Sequence, residues 1–240
     1  MLLPLLAGAG CREGALAPVG TKDVPRAPQA DAVQFRYAPP KATYHYVSTT
    51  VTNEGSSDAH KTEIQFAVKV SKRGQGYEAV ATVESVLRDG QPGPGITEAM
   101  ILAFKLTTNL DADGAIVGSS GTGLDKFVGP GARDIGIAMK LPKQPLRPGE
   151  TWTEERGSGP DRFKVEFKFV ELQQAGATHQ AKFEERAMDS HGGRVENPTQ
   201  ITIDADTGVL ILKSAQMNIP SGPRPTDPPI PIQSEIRLKG

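Results

Sequence analysis

The spacing of Asn109, Asp111, Asp113, Gly114 and Ile116 matches the first, third, fifth, sixth and eighth positions of a calcium-binding loop, where oxygen donors converge around a sharp turn. Such a loop closes with a bidentate glutamate at its twelfth position. Ser120 stands there instead, and the flanking residues alternate like strands rather than helices, so the segment reads as an Asp-rich hairpin turn. His191-Gly192-Gly193 has the composition of an oxyanion loop, whose backbone N–H groups stabilise a developing negative charge. That chemistry needs a Gly-x-Ser-x-Gly nucleophile elbow, and Gly118-Ser119-Ser120-Gly121 has the wrong spacing; a glycine-rich turn is the better reading. Glu154-Glu155 and Glu184-Glu185 are adjacent carboxylates, but neighbours on a strand point to opposite faces, so neither pair converges on one substrate. His45, His60 and His179 stand singly, without metal-ligand spacing. No catalytic or metal-binding set is assigned, and the chain is expected to be neither an enzyme nor cofactor-dependent.

The chemistry that remains is a modification. Cys11, the single cysteine, follows an uncharged apolar stretch (Leu2, Leu3, Leu5, Leu6) and a run of small residues (Ala7, Gly8, Ala9, Gly10). This is the order of a bacterial lipoprotein signal, which ends at a lipid-modified cysteine. No Lys or Arg precedes Cys11, and Gly8 occupies the position where Leu is usual. A start site assigned too far downstream would explain the missing basic end. The alternatives are a plain secretory signal with an incidental thiol, or a cytoplasmic N-terminus. The apolar run is too short to span a bilayer as a helix. Residues 12–33 mix Ala, Pro and charges without apolar periodicity, and read as a flexible tether, with order beginning near Phe35.

Composition removes whole classes of partner. Lys and Arg total 27 against 28 Asp and Glu, a net charge of −1, so no global field draws the protein to nucleic acid or to anionic lipid. Aromatic residues are only 5% of the chain and do not interleave with a basic stripe, which also argues against single-stranded nucleic acid. One cysteine forms no intramolecular disulfide, so stability must come from an apolar core.

That core is written in period two. Ile64, Phe66, Val68 and Val70 share one strand face; Gly74 and Gly76 turn the chain; Tyr77, Ala79, Ala81 and Val83 resume the inward face. Thr43–Thr52, rich in β-branched and aromatic residues, is a further strand. A second long hairpin carries Phe163, Val165, Phe167 and Phe169, turns at Gly176 and returns through Ala181 and Phe183. Two Asp-rich turns, 111–114 and 204–208, resemble each other as well. The spacing of Gly76 from Gly176 allows an ancestral duplication, with halves 34–140 and 141–240; chance likeness of alternating hairpins is the alternative. Thr97 is an N-cap candidate for a short helix over TEAMILAF, a segment that also suits entry into a strand. Residues 118–140 read as glycine-rich with one or two helical turns over the sheet. Residues 220–231 hold six prolines, leaving 232–239 as the closing strand.

Leu141-Pro142-Lys143-Gln144-Pro145-Leu146-Arg147-Pro148-Gly149-Glu150-Thr151-Trp152, followed by the amphipathic hairpin and an Asp-x-x-x-Gly turn, resembles a group of bacterial β-rich lipoproteins known only as domains of unknown function, over roughly residues 35–220. The motif is structural: prolines and Gly149 set an extended approach to a strand whose Trp152 plugs the core. At the level of architecture, the hairpin-rich sheet with a helical lid also resembles the half-barrel of the Lol-system carriers and of mycobacterial lipid-binding lipoproteins. This resemblance implies a membrane-anchored, lipid-binding half-barrel and transfers no functional residue.

The expectation is a mostly β chain: an antiparallel, highly curved sheet or half-barrel with one or two short helices, over residues 34–240, behind a signal ending at Cys11. It is expected to be tethered through lipidated Cys11 to the periplasmic face of a bacterial membrane. A lipid-like or other apolar ligand would bind on a concave face lined by Phe66, Val68, Trp152, Phe163 and Phe167. The alternative is an envelope scaffold or protein-interaction module in which those side chains fill a core. A cavity above about 300 Å³ behind the sheet separates the two readings.

Overall fold

The computed structural model describes residues 31–93, 97–122, 137–156, 163–188, 197–219 and 229–239. Cys11 and its signal, most of the tether, part of the 118–140 segment, His191-Gly192-Gly193 and most of the proline-rich run lie outside these residues. The chain forms β1 (Thr43–Thr52), β2 (His60–Arg73), β3 (Gly76–Arg88), β4 (Gln91–Pro92), α1 (Glu98–Ala103), β5 (Lys105–Leu110) and β6 (Ile116–Thr122). After the connection come β7 (Thr151–Arg156), β8 (Phe163–Ala175), β9 (Thr178–Met188), β10 (Thr199–Asp204), β11 (Leu210–Ile219) and β12 (Ile230–Leu238).

All twelve strands belong to one antiparallel sheet, in the order β6-β5-β3-β2-β1-β12-β11-β10-β9-β8-β7, with β4 attached to β3. Leaving aside β4, consecutive strands pair within β1–β6 and within β7–β12, and the two ends of the chain meet where β1 pairs with β12. The sheet is thus an up-and-down meander whose break falls between β6 and β7 instead of at the termini. It is curved and not closed into a barrel.

The period-two segments form the elements their patterns demand. In β2, Phe66, Val68 and Val70 are buried, opposite Val83, Ala81 and Ala79 of β3. In β8, Val165, Phe167 and Phe169 are buried, and Phe169 faces Phe183 of β9. Both long hairpins contain a β-bulge, at Gln65/Phe66 and at Phe169/Glu171, the kind of irregularity that bends a strand and increases its twist. Their tips are related turns. Gly74 (φ 59°) and Gly176 (φ 63°) each hold a positive φ at the first of two turn residues, as a type II′ turn requires. The counterpart of Gly176 is therefore Gly74 and not Gly76. Gly76 opens β3, where a Cβ would stand 2.1 Å from the Leu110 carbonyl oxygen.

The helix expected after Thr97 is present: the Thr97 hydroxyl accepts from the Met100 N–H at 3.2 Å, capping α1, and Ile101 packs against the core. No helix among the described residues is long and apolar enough to cross a membrane.

One end of the core face is sealed by two irregular segments. Val33 and Leu146 exchange backbone hydrogen bonds at 2.7 and 2.9 Å, which brings residues 33–38 beside residues 137–146. Val33, two residues before the expected onset at Phe35, is thus already paired. Phe35 stands edge-on to Phe169 and Phe183, at 5.2 and 5.3 Å between ring centroids, and Tyr37 does the same to Tyr77 at 5.2 Å. Met139, Leu141 and Leu146 are buried with them. The Asp-rich hairpin tips close on this plug: the Thr207 carbonyl accepts from Ala38, and the Asp113 carbonyl from Leu141. At Gly208 (φ 70°) an added Cβ would lie 2.6 Å from the Arg36 carbonyl oxygen, so the turn needs glycine for both conformation and space. The Tyr46 hydroxyl donates to the Leu210 carbonyl at 3.2 Å across the same core.

Candidate functional site

The five residues expected to line an apolar site divide between the core and its rim. Phe66, Val68 and Phe167 are buried members of the core, and the segments at 33–38 and 137–146 cover the face that the sequence leaves exposed. Trp152 is half-buried, stacked on Phe167 at 4.8 Å and edge-on to Phe183 at 5.5 Å. It packs on the rim of the core instead of plugging it. Phe163 shares the core face but is 44% exposed, because it pairs only with Arg156 at the end of the β7–β8 ladder, beyond the reach of the plug.

A larger opening lies at the break in the sheet. A cleft of about 700 Å³ is bounded by Gly114, Ile116, Val117, Gly118 and Ser119 on the β6 side and by Glu154, Glu155 and Arg156 of β7. Ala138 and Lys140, from the connecting segment, complete it. Its two walls differ in chemistry. The β6 wall is uncharged and glycine-containing, with Ile116 and Val117 exposed at 40% and 67%. The β7 wall turns Trp152, Glu154 and Arg156 toward the core face, as the alternation of half-buried and exposed residues along the strand records.

The charges on this wall are tied together. Arg156 Nη1 donates to Glu185 Oε1 at 3.1 Å, and its Nε lies 3.6 Å from Glu154 Oε1. Lys213 Nζ donates to Glu185 Oε2 at 3.4 Å. The Arg156 guanidinium also sits 5.3 Å from the centre of the Phe167 ring. Burial pushes the Glu154 carboxyl above the usual range, helped by Glu185, while Arg156 and Lys140 pull it back. Among the described residues, Glu154 Oε2 and Trp152 Nε1 are buried and have no hydrogen-bond partner.

The Asp-rich turns are occupied by their own backbone. Asp111 Oδ1 accepts from the N–H groups of Asp113 and Ala115 at 2.9 Å, and Asp204 Oδ1 accepts from Asp206 and Thr207 at 3.0 and 2.9 Å. The carboxylates cap hairpin turns. No group of three His, Cys, Asp or Glu placed to hold a metal ion exists among the described residues. Sequence reasoning dismissed Glu154 because its neighbour Glu155 points away. The partners that matter, Arg156 two residues on and Glu185 two strands away, share its face.

No protein-family model matches the chain, and no curated protein matches it. A crystal structure from Bacteroides fragilis, of a protein described as exported and as having a YmcC-like fold, is similar at 14% identity and a TM-score of 0.36, covering 86% of this chain and 99% of that one. A likeness at this level assigns no residue.

Proposed function

We propose that this protein is exported, is held at a bacterial membrane through a lipid on Cys11, and binds an apolar or lipid-like ligand without transforming it. The ligand enters the cleft between β6 and β7, not the face bearing Phe66 and Phe167. The observation that supports this reading is the break in the sheet: a cleft of about 700 Å³ whose β6 wall exposes Ile116 and Val117. A ligand pocket usually falls between about 300 and 1,000 Å³ and combines apolar lining with a few placed polar groups. The anchor rests on the small-residue run before Cys11.

Native mass spectrometry of the protein taken from its own envelope is the test. Co-extracted lipid, and displacement of a fluorescent fatty-acid probe by added lipid, are the expected results. The membrane fraction should also yield an acylated N-terminal Cys11, whereas a cytoplasmic protein retaining Met1 would remove the anchor. A second reading, an envelope scaffold or interaction module, is favoured by the filled core around Phe66, Val68 and Phe167. It would stand if neither lipid nor probe binds, and cross-linking to envelope partners would then identify what the surface holds.

A further inference from the structure

The outer face of the sheet, opposite the core, changes character along the strand order. Over β8 and β9 it carries charges of opposite sign across from each other, Glu166 with Arg186 and Lys168 with Glu184. That is an ordinary way for an antiparallel sheet to solvate its exposed side. Across β10, β11, β12 and β1 the charges give way to amides and hydroxyls. Gln200 lies beside buried Ile201 and so faces outward, and the register carries its row through Ser214 and Glu235 to Thr49. Two residues along the strands, Gln216, Gln233, Val51 and Lys61 form the next row.

These rows line a groove of about 590 Å³, with Asn197 and Pro198 beside Gln200. A volume of this size suits a ligand site. The side chains of Thr49, Gln200, Ser214 and Gln216 have no hydrogen-bond partner among the described residues, and all four are half-buried or exposed, within reach of a ligand. Gln233 donates to Glu54, which leaves its amide oxygen and one N–H to give. The two charged residues of the groove are already engaged, Glu235 with Arg237 at 3.0 Å and Lys61 with Glu63 at 3.6 Å. An anionic or cationic ligand therefore meets no unpaired charge, and an acyl chain meets little beyond Val51 and Pro198. An extended peptide finds no ladder to join, because β10, β11, β12 and β1 are each paired on both sides.

We infer that this groove binds an uncharged oligosaccharide laid along the rows. A side-chain amide presents a donor and an acceptor side by side, as two adjacent hydroxyls of a sugar ring require. Successive strands stand about 4.8 Å apart, close to the length of one pyranose residue, so a sugar chain crossing the strands meets one side chain per residue. The groove shares no residue with the cleft between β6 and β7, and the inference does not depend on the ligand proposed there.

The 240-residue chain is titrated by calorimetry with cellohexaose, chitohexaose and maltohexaose, with glucose as the short control and hexagalacturonate as the charged one. At least one neutral hexasaccharide is expected to bind about tenfold more tightly than either control, with a Kd that changes less than about twofold between about 50 and 500 mM salt. The side-chain amide resonances of Gln200 and Gln216 should move during that titration. Replacing both exposed amides, Gln200→Ala with Gln216→Ala, should weaken binding about tenfold, the scale of two hydrogen bonds. Lys168→Ala, on the charged part of the same face, should leave it unchanged. Absence of binding by all three neutral sugars up to about 10 mM overturns the inference, and so does equal binding of hexagalacturonate; neither comparison needs a variant to fold. Binding that the double substitution leaves intact overturns the assignment to this groove.

Discussion

Strands β8 and β9 bury Phe167, Phe169 and Phe183 completely, while β7, hydrogen-bonded alongside β8, carries Trp152, Glu154 and Arg156 half-buried on the same face. The difference comes from what each region meets across the core. Phe169 and Phe183 face Phe35 and are sealed by the plug that Val33 and Leu146 hold together. Strand β7 has β8 on one side and, among the described residues, no strand on the other. An edge strand with free N–H and C=O groups invites pairing with another chain, and inward-pointing charge is a known way to prevent it. Glu154 and Arg156 fit that role, and the cost of placing them there is an ion-pair network and one carboxylate oxygen without a donor. One continuous sheet thus has a region built for stability and a region that tolerates unsatisfied polarity, and the proposed ligand cleft lies in the second.

The largest effect that would break this comparison is a deletion at the sealed end. Phe167→Ala removes a fully buried ring together with its stacking on Trp152, and should cost about 3–5 kcal/mol in urea denaturation. Phe163→Ala removes the same side chain four residues earlier on the same face, where it is 44% exposed. Its cost should be about 1 kcal/mol, the part of a phenylalanine's burial realised at that exposure. Equal losses would mean that the start of β8 is as tightly packed as the core.

The two regions were unequally legible in the sequence. Strand β1 was expected over Thr43–Thr52 and has those bounds, because β-branched and aromatic residues on a half-buried face leave little freedom. The long hairpins followed from alternation, and α1 from its Thr97 cap. The plug was not legible: Phe35 and Tyr37 sit in a stretch without periodicity, and nothing local says that Val33 pairs with Leu146, far along the chain. A face that looked uncovered therefore suggested a ligand site where the protein keeps its core. The break was hidden for a related reason. Which strand ends a sheet is a property of pairing order, and the charges around Glu154 come together only once β8 and β10 set β7, β9 and β11 at alternate places in the sheet.

A smaller effect, with a sign fixed by linkage, tests whether the β7 wall is strained. Burial holds the Glu154 carboxyl above its ordinary value of 4.5, so across that range the folded state binds more protons than the unfolded state. Unfolding free energy must then fall as pH rises through the window, in contrast to the usual paired carboxylate. Glu154→Gln lacks the ionisation and the fall. Measured by denaturant melts at about pH 4 and about pH 8, the variant should gain on the unaltered protein as pH increases. A variant that instead loses ground with rising pH would show that Arg156 and Lys140 outweigh burial, and that Glu154 is a satisfied carboxylate.

The smallest effect belongs to the face that neither region uses. Lys168 lies on β8 between Phe167 and Phe169, pointing away from the core, with Thr151 and Glu184 as its cross-strand neighbours. Its ammonium is solvated, and an exposed ion pair contributes between nothing and about 1 kcal/mol. Glu184 has Arg186 at 3.6 Å as another cation, so the loss of Lys168 leaves no carboxylate stranded. Lys168→Ala should therefore shift stability by less than about 0.5 kcal/mol in the same urea experiment that reads Phe167→Ala. Because the two residues are adjacent, the pair also tests the strand register: slipping β8 by one residue would exchange their faces, and the larger loss would then fall on the lysine.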